Sequence, residues 1–495
     1  MKLDEVHVIG GGPAGLFAAI LLRRAWPGAR VRVFERSVPD DTFGFGVAFT
    51  RRTLDLLSAA DEAVVGRLRA ASVPIPHQEF RLGERSVTAN GNDGAIGVAR
   101  SALLTALTDI ARGLGVGVEL GREADLDEVR GADLVIAADG VGSRVRDGMA
   151  AEFGARVTPG RGLFMWLGLD QRLPASLFAP ARGADGLFNV HCYPYAADRS
   201  TIGVETDPDT WRRAGMDRWT EGTPPDRSDE RSIAYLQELF GPILGGTLLG
   251  NRSRWMHFRT VTTARWSAGN VVLLGDAAHT AHYSVGSGTK MAMEDAVALV
   301  EALRDPAHAT LPQALAGYER ARRPRAARIQ DLADRSRWWW ETLGVRLDLP
   351  PAALMLAYLS RGGAVGAAKA AEFDPGLVAE ALAETGLGSL DTVLRGRELP
   401  PGAGTDLPAD VRDPWGDEAA ALVKTAQRSP GPVVLTGPPQ RDRLLDRLAL
   451  AEHVRRHAGV AVAVEADPAL AADVVDGVIA GRIDLVRFTA PHPAS

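Results

Sequence analysis

Near the start of the chain stands Val6-His-Val-Ile-Gly-Gly-Gly-Pro-Ala-Gly15, in which an apolar run leads into three spaced glycines. The run predicts a strand, the residues from about Ala14 to Arg24 predict a helix, and Val31 to Glu35 predict a second strand. Glycines at such a turn let a pyrophosphate approach the backbone, where the helix N-terminus faces its negative charge. This unit therefore predicts a parallel α/β sheet with a dinucleotide site at its edge.

A carboxylate follows at the position that a dinucleotide site requires. Glu35 lies twenty residues beyond Gly15, at the end of the second predicted strand. A carboxylate there accepts hydrogen bonds from ribose hydroxyls and favours an adenosine ribose without a 2′-phosphate. The glycines and Glu35 together predict dinucleotide binding, but they do not separate FAD from NAD.

The middle of the chain predicts a second sheet. Strands are predicted at Gly162 to Asp170, Leu187 to Tyr195 and Thr201 to Thr206, and the short turn between the last two predicts an antiparallel hairpin. Further parallel strands are predicted on either side, at Asp133 to Ala138 and Val271 to Leu274. The antiparallel sheet is thus predicted to be an insertion in the dinucleotide domain.

Helices and a terminal domain complete the predicted elements. Val98 to Leu114 predicts a helix, and a long basic helix around Tyr318 to Arg337 ends in three tryptophans that are predicted to pack as a hydrophobic plug. Beyond a stretch rich in Pro, Gly and Asp, strands are predicted at Val433 to Leu435, Gly459 to Val464 and Ile483 to Phe488, with two helices between them. Three strands form a βαβαβ piece, which is too short to close a barrel.

Two more motifs accompany the first glycine turn. Asp139-Gly-Val-Gly-Ser-Arg-Val-Arg146 follows one predicted parallel strand, and Gly275-Asp-Ala-Ala-His279 follows another and runs on to Gly286-Ser-Gly288. An Asp-Gly turn that closes a strand is common in isolation. The order and separation of all three motifs indicate one class of protein.

Together the three motifs resemble those of the para-hydroxybenzoate hydroxylase class of single-component flavin-dependent aromatic hydroxylases. In that class the Asp139 turn lies near the pyrophosphate, Asp276 lies on the ribityl chain of FAD, and the glycines matched by Gly286 and Gly288 let the backbone reach the flavin ring. The resemblance implies an α/β fold, with an FAD-binding Rossmann-like domain of the glutathione reductase type, an inserted antiparallel substrate sheet and, here, the small βαβαβ C-terminal domain. The residues that it assigns to the cofactor are Gly10, Gly12, Pro13, Ala14, Gly15, Glu35, Arg36, Gly46, Val47, Arg100, Asp139, Gly275, Asp276, Gly286, Gly288 and Thr289.

Departures from the wider class narrow the resemblance. Tyr283 stands where the class has proline, Lys290 stands where it has asparagine, and the run from His279 to Asp295 is similar to the salicylyl-CoA 5-hydroxylase and 2-aminobenzoyl-CoA monooxygenase branch. Asp41-Thr-Phe-Gly-Phe-Gly-Val47 and Ala264-Arg-Trp-Ser-Ala-Gly-Asn270 resemble the same branch.

This branch implies a monooxygenase that uses FAD, NADH or NADPH as a transient reductant and O2 as co-substrate. In the implied mechanism, oxygen adds at flavin C4a and the distal oxygen of the hydroperoxide passes to an electron-rich aromatic carbon. The implied substrate is a salicylyl- or anthraniloyl-type thioester of CoA or of a carrier protein. Two alternatives stay open: an oxygenase for an indole or another natural-product aromatic in secondary metabolism, and a non-catalytic flavin-binding assembly partner.

Candidate catalytic residues lie in the third motif. His282 and Tyr283 belong to the loop that touches the flavin in this class, where either side chain can polarise a ring hydroxyl or amine; shaping the loop is the alternative role. The inserted strands carry candidates for the substrate pocket, for which ordinary sheet packing is the alternative. These residues are Phe164, Trp166, His191, Tyr193 and Tyr195.

The resemblance covers about residues 1 to 385 and predicts the domain boundaries. We expect a monooxygenase core at 1–385, with FAD-binding parts at about 1–75, 97–155 and 265–385 and the substrate sheet at about 76–96 and 156–264. A linker at 386–416 and a partial barrel-like α/β domain at 417–495 follow. In the branch a complete old yellow enzyme-like barrel follows the hydroxylase, whereas this tail resembles only the end of one, so a second flavin is not expected.

Composition excludes several other classes of protein. The net charge of −6 gives no electrostatic case for a nucleic acid or membrane partner, although Arg252, Arg254 and Arg259 are candidates for binding the phosphates of a thioester carrier or for a solvated edge. Cys192 is the single cysteine, so the chain predicts no internal disulfide, no Cys-rich metal site and a cytoplasmic location. A homodimer is left open.

Overall fold

The computed structural model describes residues 2–38, 44–91, 94–411 and 413–489. The chain divides into two compact units, the first comprising Met1–Gln78 and Asn92–Gln330 and the second Glu79–Gly91 and Asp331–Ser495. Asp41, Thr42 and Phe43 of the predicted branch motif lie outside the described residues, as does the end of the predicted terminal domain. Within the described ranges, no helix combines the length and apolar character that a bilayer-spanning segment needs.

Strands and helices are numbered along the chain. The strands are β1 (Glu5–Ile9), β2 (Arg30–Glu35), β3 (Gly46–Phe49), β4 (Ser72–Pro74), β5 (Gln78–Leu82), β6 (Arg85–Ala89), β7 (Ile96–Ala99), β8 (Gly117–Leu120), β9 (Leu134–Ala137), β10 (Arg156–Leu169), β11 (Ser176–Arg182), β12 (Leu187–Pro194), β13 (Ser200–Thr206), β14 (Leu248–Leu249), β15 (Met256–Thr262), β16 (Ser267–Ala268), β17 (Val271–Leu273), β18 (Thr405–Pro408), β19 (Val433–Thr436), β20 (Val462–Ala466) and β21 (Leu485–Phe488). The α-helices are α1 (Pro13–Ala25), α2 (Arg51–Ala60), α3 (Glu62–Ala70), α4 (Arg100–Gly113), α5 (Leu126–Val129), α6 (Arg144–Gly148), α7 (Ala150–Phe153), α8 (Pro208–Arg213), α9 (Met216–Glu221), α10 (Glu230–Leu244), α11 (Gly288–Arg304), α12 (Leu311–Glu341), α13 (Pro351–Ser360), α14 (Ala367–Phe373), α15 (Pro375–Glu384), α16 (Asp417–Ala426), α17 (Arg441–Ala458) and α18 (Ala471–Ile479).

A six-stranded sheet in the first unit carries all three motifs. Its strand order is β16-β17-β9-β1-β2-β8, and its pairs are parallel except for β16 with β17. The strands β1, β9 and β17 are almost wholly apolar and buried, as expected for a parallel sheet covered on both faces. Because these three central strands end at the same edge, the three motifs that follow them meet there, and the α/β class predicted from the sequence is confirmed.

The inserted sheet of the first unit is antiparallel. Its strands follow the order β14-β10-β13-β12-β11, with β15 also pairing with β10. Alternate residues such as Met165, Val190 and Val204 pack with Leu236 and Phe240 of α10 in one hydrophobic core. Since side chains alternate along a strand, the opposite face carries the candidate pocket residues. The predicted hairpin is present as β12 and β13.

A small three-stranded sheet, β3-β7-β4, corrects one predicted boundary. The helix expected from Val98 begins instead at Arg100, because Val98 pairs with Val47 in this sheet. β-Branched valine suits a strand. Gly97 also brings the backbone close to β12, since a Cβ on it would lie 2.0 Å from the Pro194 carbonyl oxygen.

The second unit contains a parallel sheet with the order β18-β19-β20-β21. The strand β18 lies in the stretch that was predicted to be a linker, so the piece has one strand more than the βαβαβ expectation. It was missed because it is short, ends in Pro408 and follows several glycines, which are features of a loop. The predicted tryptophan plug is present: Trp338, Trp339 and Trp340 are buried at the end of α12, and Trp339 and Trp340 contact Tyr358.

Candidate active site

The glycines of the first turn let neighbouring backbone segments approach each other closely. Gly10 has φ +105, and a Cβ on it would lie 2.3 Å from the Ala138 carbonyl oxygen, while a Cβ on Gly15 would lie 2.0 Å from the Gly10 carbonyl oxygen. Both positions therefore require glycine for packing. A Cβ on Gly12, by contrast, would meet no described atom within 4 Å, and none of the described side chains caps the N-terminus of α1. This open space before a helix N-terminus is suited to a pyrophosphate.

Glu35 is fixed beside this turn by two backbone groups. Its Oε2 accepts a hydrogen bond from Gly11 N at 2.7 Å, and its Oε1 accepts one from Ser37 N at 2.8 Å. Each carboxylate oxygen has a second lone pair for another donor. The predicted contact with ribose hydroxyls is thus compatible with the geometry.

A cavity of about 880 Å³ lies along the turn and the helix α4. Of the predicted cofactor residues, Gly12, Glu35, Arg36 and Arg100 line it. Its lining residues are Gly11, Gly12, Glu35, Arg36, Ser37, Val38, Arg100, Ser101, Leu104, Thr105, Thr108, Asp109, Arg112, Leu120, Pro225, Arg252, Arg254, Trp255 and Met256.

Arg100 was the one α4 residue predicted from the sequence to line this cavity, although a signal for further α4 residues was present. Arg100, Leu104, Thr108 and Arg112 recur every four residues and therefore share one face of the helix. Of the three arginines considered for a thioester carrier, Arg252 and Arg254 line the cavity, whereas Arg259 is exposed on β15.

Asp139 of the second motif uses one carboxylate oxygen to cap a short helix, while its other oxygen accepts no hydrogen bond from the described residues. Asp139 Oδ2 accepts hydrogen bonds from Arg144 N at 2.9 Å and Val145 N at 3.4 Å, whereas its Oδ1 is buried and has no hydrogen-bond partner among the described residues. Burial raises the pKa of the Asp139 carboxyl above its ordinary value. A buried carboxylate oxygen of this kind takes its donor from an ordered water or a bound ligand.

Arg146 joins the second motif to the third. Its side chain is 1% exposed, and its guanidinium donates hydrogen bonds to the carbonyl oxygens of Val141 at 3.0 Å and Ala277 at 3.4 Å. The second and third motifs are far apart in sequence, but this hydrogen bond places them in direct contact in the fold.

Asp295, at the end of the third motif, is the centre of a buried network. Its Oδ2 accepts hydrogen bonds from Gly275 N at 3.1 Å and His279 Nε2 at 2.9 Å, and its Oδ1 accepts one from Arg322 Nε at 2.8 Å. Burial acts to raise the pKa of Asp295, but His279 and Arg322 outweigh it and hold the pKa below its ordinary value. His279 therefore stabilises the third motif through its contact with Asp295.

Asp276 is accessible to water, unlike Asp295. Enough protein surrounds its carboxyl for desolvation to raise the pKa, against the opposing effects of His279 and Arg100. Desolvation in turn lowers the pKa of Arg100, while Asp276 and Tyr193 act to raise it. The third motif, α4 and β12 therefore bring Asp276, Arg100 and Tyr193 into one electrostatic neighbourhood.

Tyr193 and Tyr195 both contact the start of β3. The Tyr193 hydroxyl donates a hydrogen bond to the Gly46 carbonyl oxygen at 3.0 Å. A Cβ on Gly46 would lie 2.5 Å from Tyr195 Cβ, so Gly46 lets the strand pack closely against that ring. Val47 pairs with Val98 in the same small sheet.

An aromatic cluster surrounds Tyr283. The centroid of its ring lies 4.7 Å from that of Phe164, 5.7 Å from Trp166, 5.5 Å from His191 and 5.8 Å from Phe258. Of the predicted pocket residues, Phe164, Trp166 and His191 therefore lie together around this ring. Phe258 was missed in the sequence because β15 lacked a clear alternating pattern.

His282 shapes the loop that carries Tyr283. Its Nδ1 lies 2.8 Å from Ser284 Oγ and accepts from Ser284 N at 3.4 Å, which caps the 3-10 turn Tyr283–Val285. Its ring also contacts Phe258, with centroids 4.9 Å apart.

The positions after this turn are open in the manner that the third motif predicts. No described atom lies within 4 Å of a Cβ placed on Gly286 or Gly288, and Thr289 follows in the first turn of α11. Pro13, Ala14 and Gly275 are buried supports of the first and third motifs. The open glycines, the unpartnered Asp139 Oδ1 and the cavity beside Glu35 together fit an FAD molecule.

Comparison with known proteins points the same way. Residues 4–91 and 118–333 match a family model described as FAD binding domain. The chain is 44% identical over 362 residues to salicyloyl-CoA 5-hydroxylase from a Streptomyces species, covering 72% of this chain and 69% of that protein. It is 37% identical over 379 residues to 3-hydroxy-4-methyl-anthranilyl-[aryl-carrier protein] 5-monooxygenase from Streptosporangium sibiricum, covering 73% of this chain and 95% of that protein.

A solved structure supports the fold. The crystal structure of a mutant of 2-methyl-3-hydroxypyridine-5-carboxylic acid oxygenase superposes with a TM-score of 0.55 at 24% identity, covering 73% of this chain and 96% of that one. At this identity the likeness bears on the fold alone.

Proposed function

This chain belongs to the FAD binding domain family, and we propose that it hydroxylates an electron-rich aromatic acyl group held as a thioester on CoA or on a carrier protein. The family predicted from the three motifs is confirmed, and the protein is an FAD-dependent aromatic monooxygenase. The observation that carries the finer proposal is that two relatives, by their names, act on aromatic acyl groups attached to CoA and to an aryl carrier protein.

The proposed roles follow from the geometry of the first unit. Gly12, Glu35, Asp139 and Asp276 would hold FAD through its phosphates and hydroxyls, and Arg100 would balance negative charge nearby. FAD, once reduced by NADH or NADPH, supplies the activation of dioxygen. The chain itself positions the substrate ring and keeps water away from it.

The aromatic cluster suits this second task. Phe164, Trp166 and Phe258, which lie on the inserted sheet, surround Tyr283 with apolar ring faces. Tyr283 itself lies in the loop of the third motif, which is called the flavin loop below. Such a site excludes water and holds an aromatic ring by edge and face contacts. We propose that Tyr283 touches the substrate and that His282 sets the shape of the loop.

The test is NADH consumption by the FAD-loaded protein under air, with hydrogen peroxide and oxygenated product both quantified. The compounds to compare are salicylyl-CoA, anthraniloyl-CoA, the two free acids and a simple indole. We expect fast oxidation with little peroxide, and product carrying one atom from labelled O2, for one thioester.

Two other outcomes would contradict the proposal. If every thioester leaves a slow, peroxide-forming rate unchanged while the indole accelerates coupled turnover, the substrate is a natural-product aromatic instead. If neither NADH nor NADPH bleaches the flavin spectrum, with or without these compounds, the protein is a flavin-binding assembly partner.

A further inference from the structure

An acid–base pair, His191 and Glu205, is buried on the face of the inserted sheet that carries the aromatic cluster. His191 Nδ1 lies 3.5 Å from Glu205 Oε1, and the two side chains are 11% and 9% exposed. Adjacent antiparallel strands hold them, because His191 on β12 is directly opposite Gly203 on β13, two residues before Glu205. A carboxylate is seldom buried to this extent unless a neighbouring group is positively charged or donates a proton to it.

The imidazole of His191 forms part of the wall around Tyr283. Its centroid lies 5.5 Å from the ring of Tyr283, 6.3 Å from Trp166 and 6.4 Å from Phe178. Gly203 makes room for it, since a Cβ there would lie 2.5 Å from His191 Nε2. Trp166 on β10 is directly opposite the same glycine from the other side. A glycine between two large rings thus lets the imidazole lie across the sheet at the edge of the aromatic cluster.

We propose that His191 is the base that takes the proton from a ring hydroxyl of the substrate, and that Glu205 is a positioning residue that orients the imidazole. This inference rests on the proposed function and narrows its substrate to a ring that bears a hydroxyl. A carboxylate beside Nδ1 favours the tautomer that carries its proton there, which leaves the Nε2 lone pair to accept another.

The proton transfer is balanced within the site. The O–H bond of the substrate breaks, its electron pair stays on the phenolic oxygen, and the proton passes to Nε2 of His191. The resulting imidazolium lies beside the Glu205 carboxylate, which compensates its charge. The aromatic ring of the phenolate is more electron-rich than that of the phenol, so an electrophilic oxygen attacks it more readily. Imidazole is too weak a base to remove a proton from a neutral aromatic amine, and for this reason the hydroxyl is essential.

The surroundings of His191 separate this role from simple packing. Glu205 on β13 and Tyr283 on the flavin loop are among the titratable side chains placed against its ring, and His282 stacks on Tyr283 with centroids 4.2 Å apart. His282 Nδ1 is engaged by Ser284, whereas His191 is held by a carboxylate. His191 therefore has a carboxylate beside it that can orient a base.

The test measures the ionisation of a bound phenol. 5-Nitrosalicyl-CoA is added to the FAD-loaded protein, and the absorbance of its nitrophenolate is followed by difference spectroscopy as pH is varied. The variants are His191→Asn and Glu205→Gln, with His257→Asn as the matched control. His257 is exposed on β15 of the same sheet and contacts the Gly162 carbonyl oxygen at 3.2 Å, outside the aromatic cluster.

We expect the bound probe to ionise at a pH about one unit higher in H191N than in the wild type, a tenfold change in the ionisation constant. E205Q shifts it in the same direction by a smaller amount, and H257N titrates as the wild type does. Should H191N not fold, His191→Gln retains the side-chain length and serves in its place.

The inference is overturned if the probe ionises at the same pH in H191N, or in H191Q, as in the wild type while the wild-type protein hydroxylates a hydroxylated thioester. An unchanged titration in E205Q overturns the positioning role of Glu205. Failure of the proposed function is distinguishable from both results, because the wild-type protein would then yield no oxygenated product from any thioester.

Discussion

At the residue scale, Asp276 carries the most direct prediction about the cofactor. Its carboxyl is accessible in the first unit, and it shares an electrostatic neighbourhood with Arg100. A hydrogen bond to a charged group contributes about 1.5–3 kcal/mol, so Asp276→Ala should weaken FAD binding about tenfold to a hundredfold. FAD fluorescence titration measures the change. Asp127→Ala, which removes an exposed carboxylate on α5, is the control and should bind FAD as the wild type does.

Asp295 should govern stability instead of affinity. Removing one partner of a buried ion pair costs about 3–5 kcal/mol, because the remaining charge stays buried. Asp295→Ala would leave Arg322 and His279 in this state, and we expect a large fall in melting temperature. Asp305→Asn, an exposed carboxylate just after the same helix, is the control and should leave melting unchanged.

The pH dependence of the same network has a definite sign. The pKa of Asp295 is lowered in the folded state, so its stabilising contribution is present above its unfolded value of 3.8 and is lost as pH falls further. Melting of the wild type below pH 4 should therefore fall more steeply than melting of Asp295→Asn. Parallel curves for the two proteins would contradict the assigned shift.

The sequence predicted these residues unequally. Asp276 and Glu35 stand at fixed offsets from glycines, so local spacing was enough to find them. Arg322, which binds Asp295, lies in another helix, and the position of Glu205 beside His191 depends on the register of two strands. Neither partner has a local signal, because packing and register are set by the whole sheet and its helices.

At the scale of elements, Asp476 of α18 binds the start of α14. Ala367 N donates a hydrogen bond to Asp476 Oδ1 at 2.7 Å, and a Cβ on Gly366 would lie 2.1 Å from Oδ2. Burial raises the pKa of Asp476 to about 6. The folded protein therefore keeps this proton to a higher pH than the unfolded chain does, and stability falls as pH rises from about 4 to about 6.

Asp476→Asn should remove this pH-dependent loss. The amide oxygen can still accept from Ala367 N, and no charge is formed, so at pH 8 we expect the variant to be more stable than the wild type by about 3 kcal/mol. At pH 4 the two should melt together. Asp417→Asn, exposed at the start of α16, is the control. A variant that melts below the wild type at pH 8 would show that the carboxylate is stabilising after all.

Elements with strong periodicity were predicted best. The strands around the three motifs and the hairpin β12–β13 agree with the structure because their residues alternate or are wholly apolar. The strand β18 and the start of α4 do not, since Pro408 and Gly97 carry loop signals while tertiary pairing holds both stretches extended. Local propensity was overridden there by sheet formation.

At the scale of the whole molecule, the second unit bears on the number of flavins. The sequence-based boundaries at 385 and 416 remain a proposal, as does the likeness of the tail to the end of a barrel; the compact units themselves divide at Gln330. The sheet of the second unit has four strands, β18 to β21, among the described residues, too few to enclose a barrel interior.

The turn after β20 is also unsuited to a phosphate. Glu465 Oε2 accepts a hydrogen bond from Arg487 at 2.7 Å, and Asp467 Oδ1 accepts one from Ala469 N at 2.8 Å. Two carboxylates at this turn repel an anion where a flavin phosphate would need donors. We therefore expect the protein, incubated with both FAD and FMN, to retain one FAD per chain and no FMN. Chromatography of the flavins released on denaturation, normalised to protein, measures the ratio. An equivalent of FMN that survives gel filtration would contradict this expectation and would indicate that the second unit is a flavin domain in its own right.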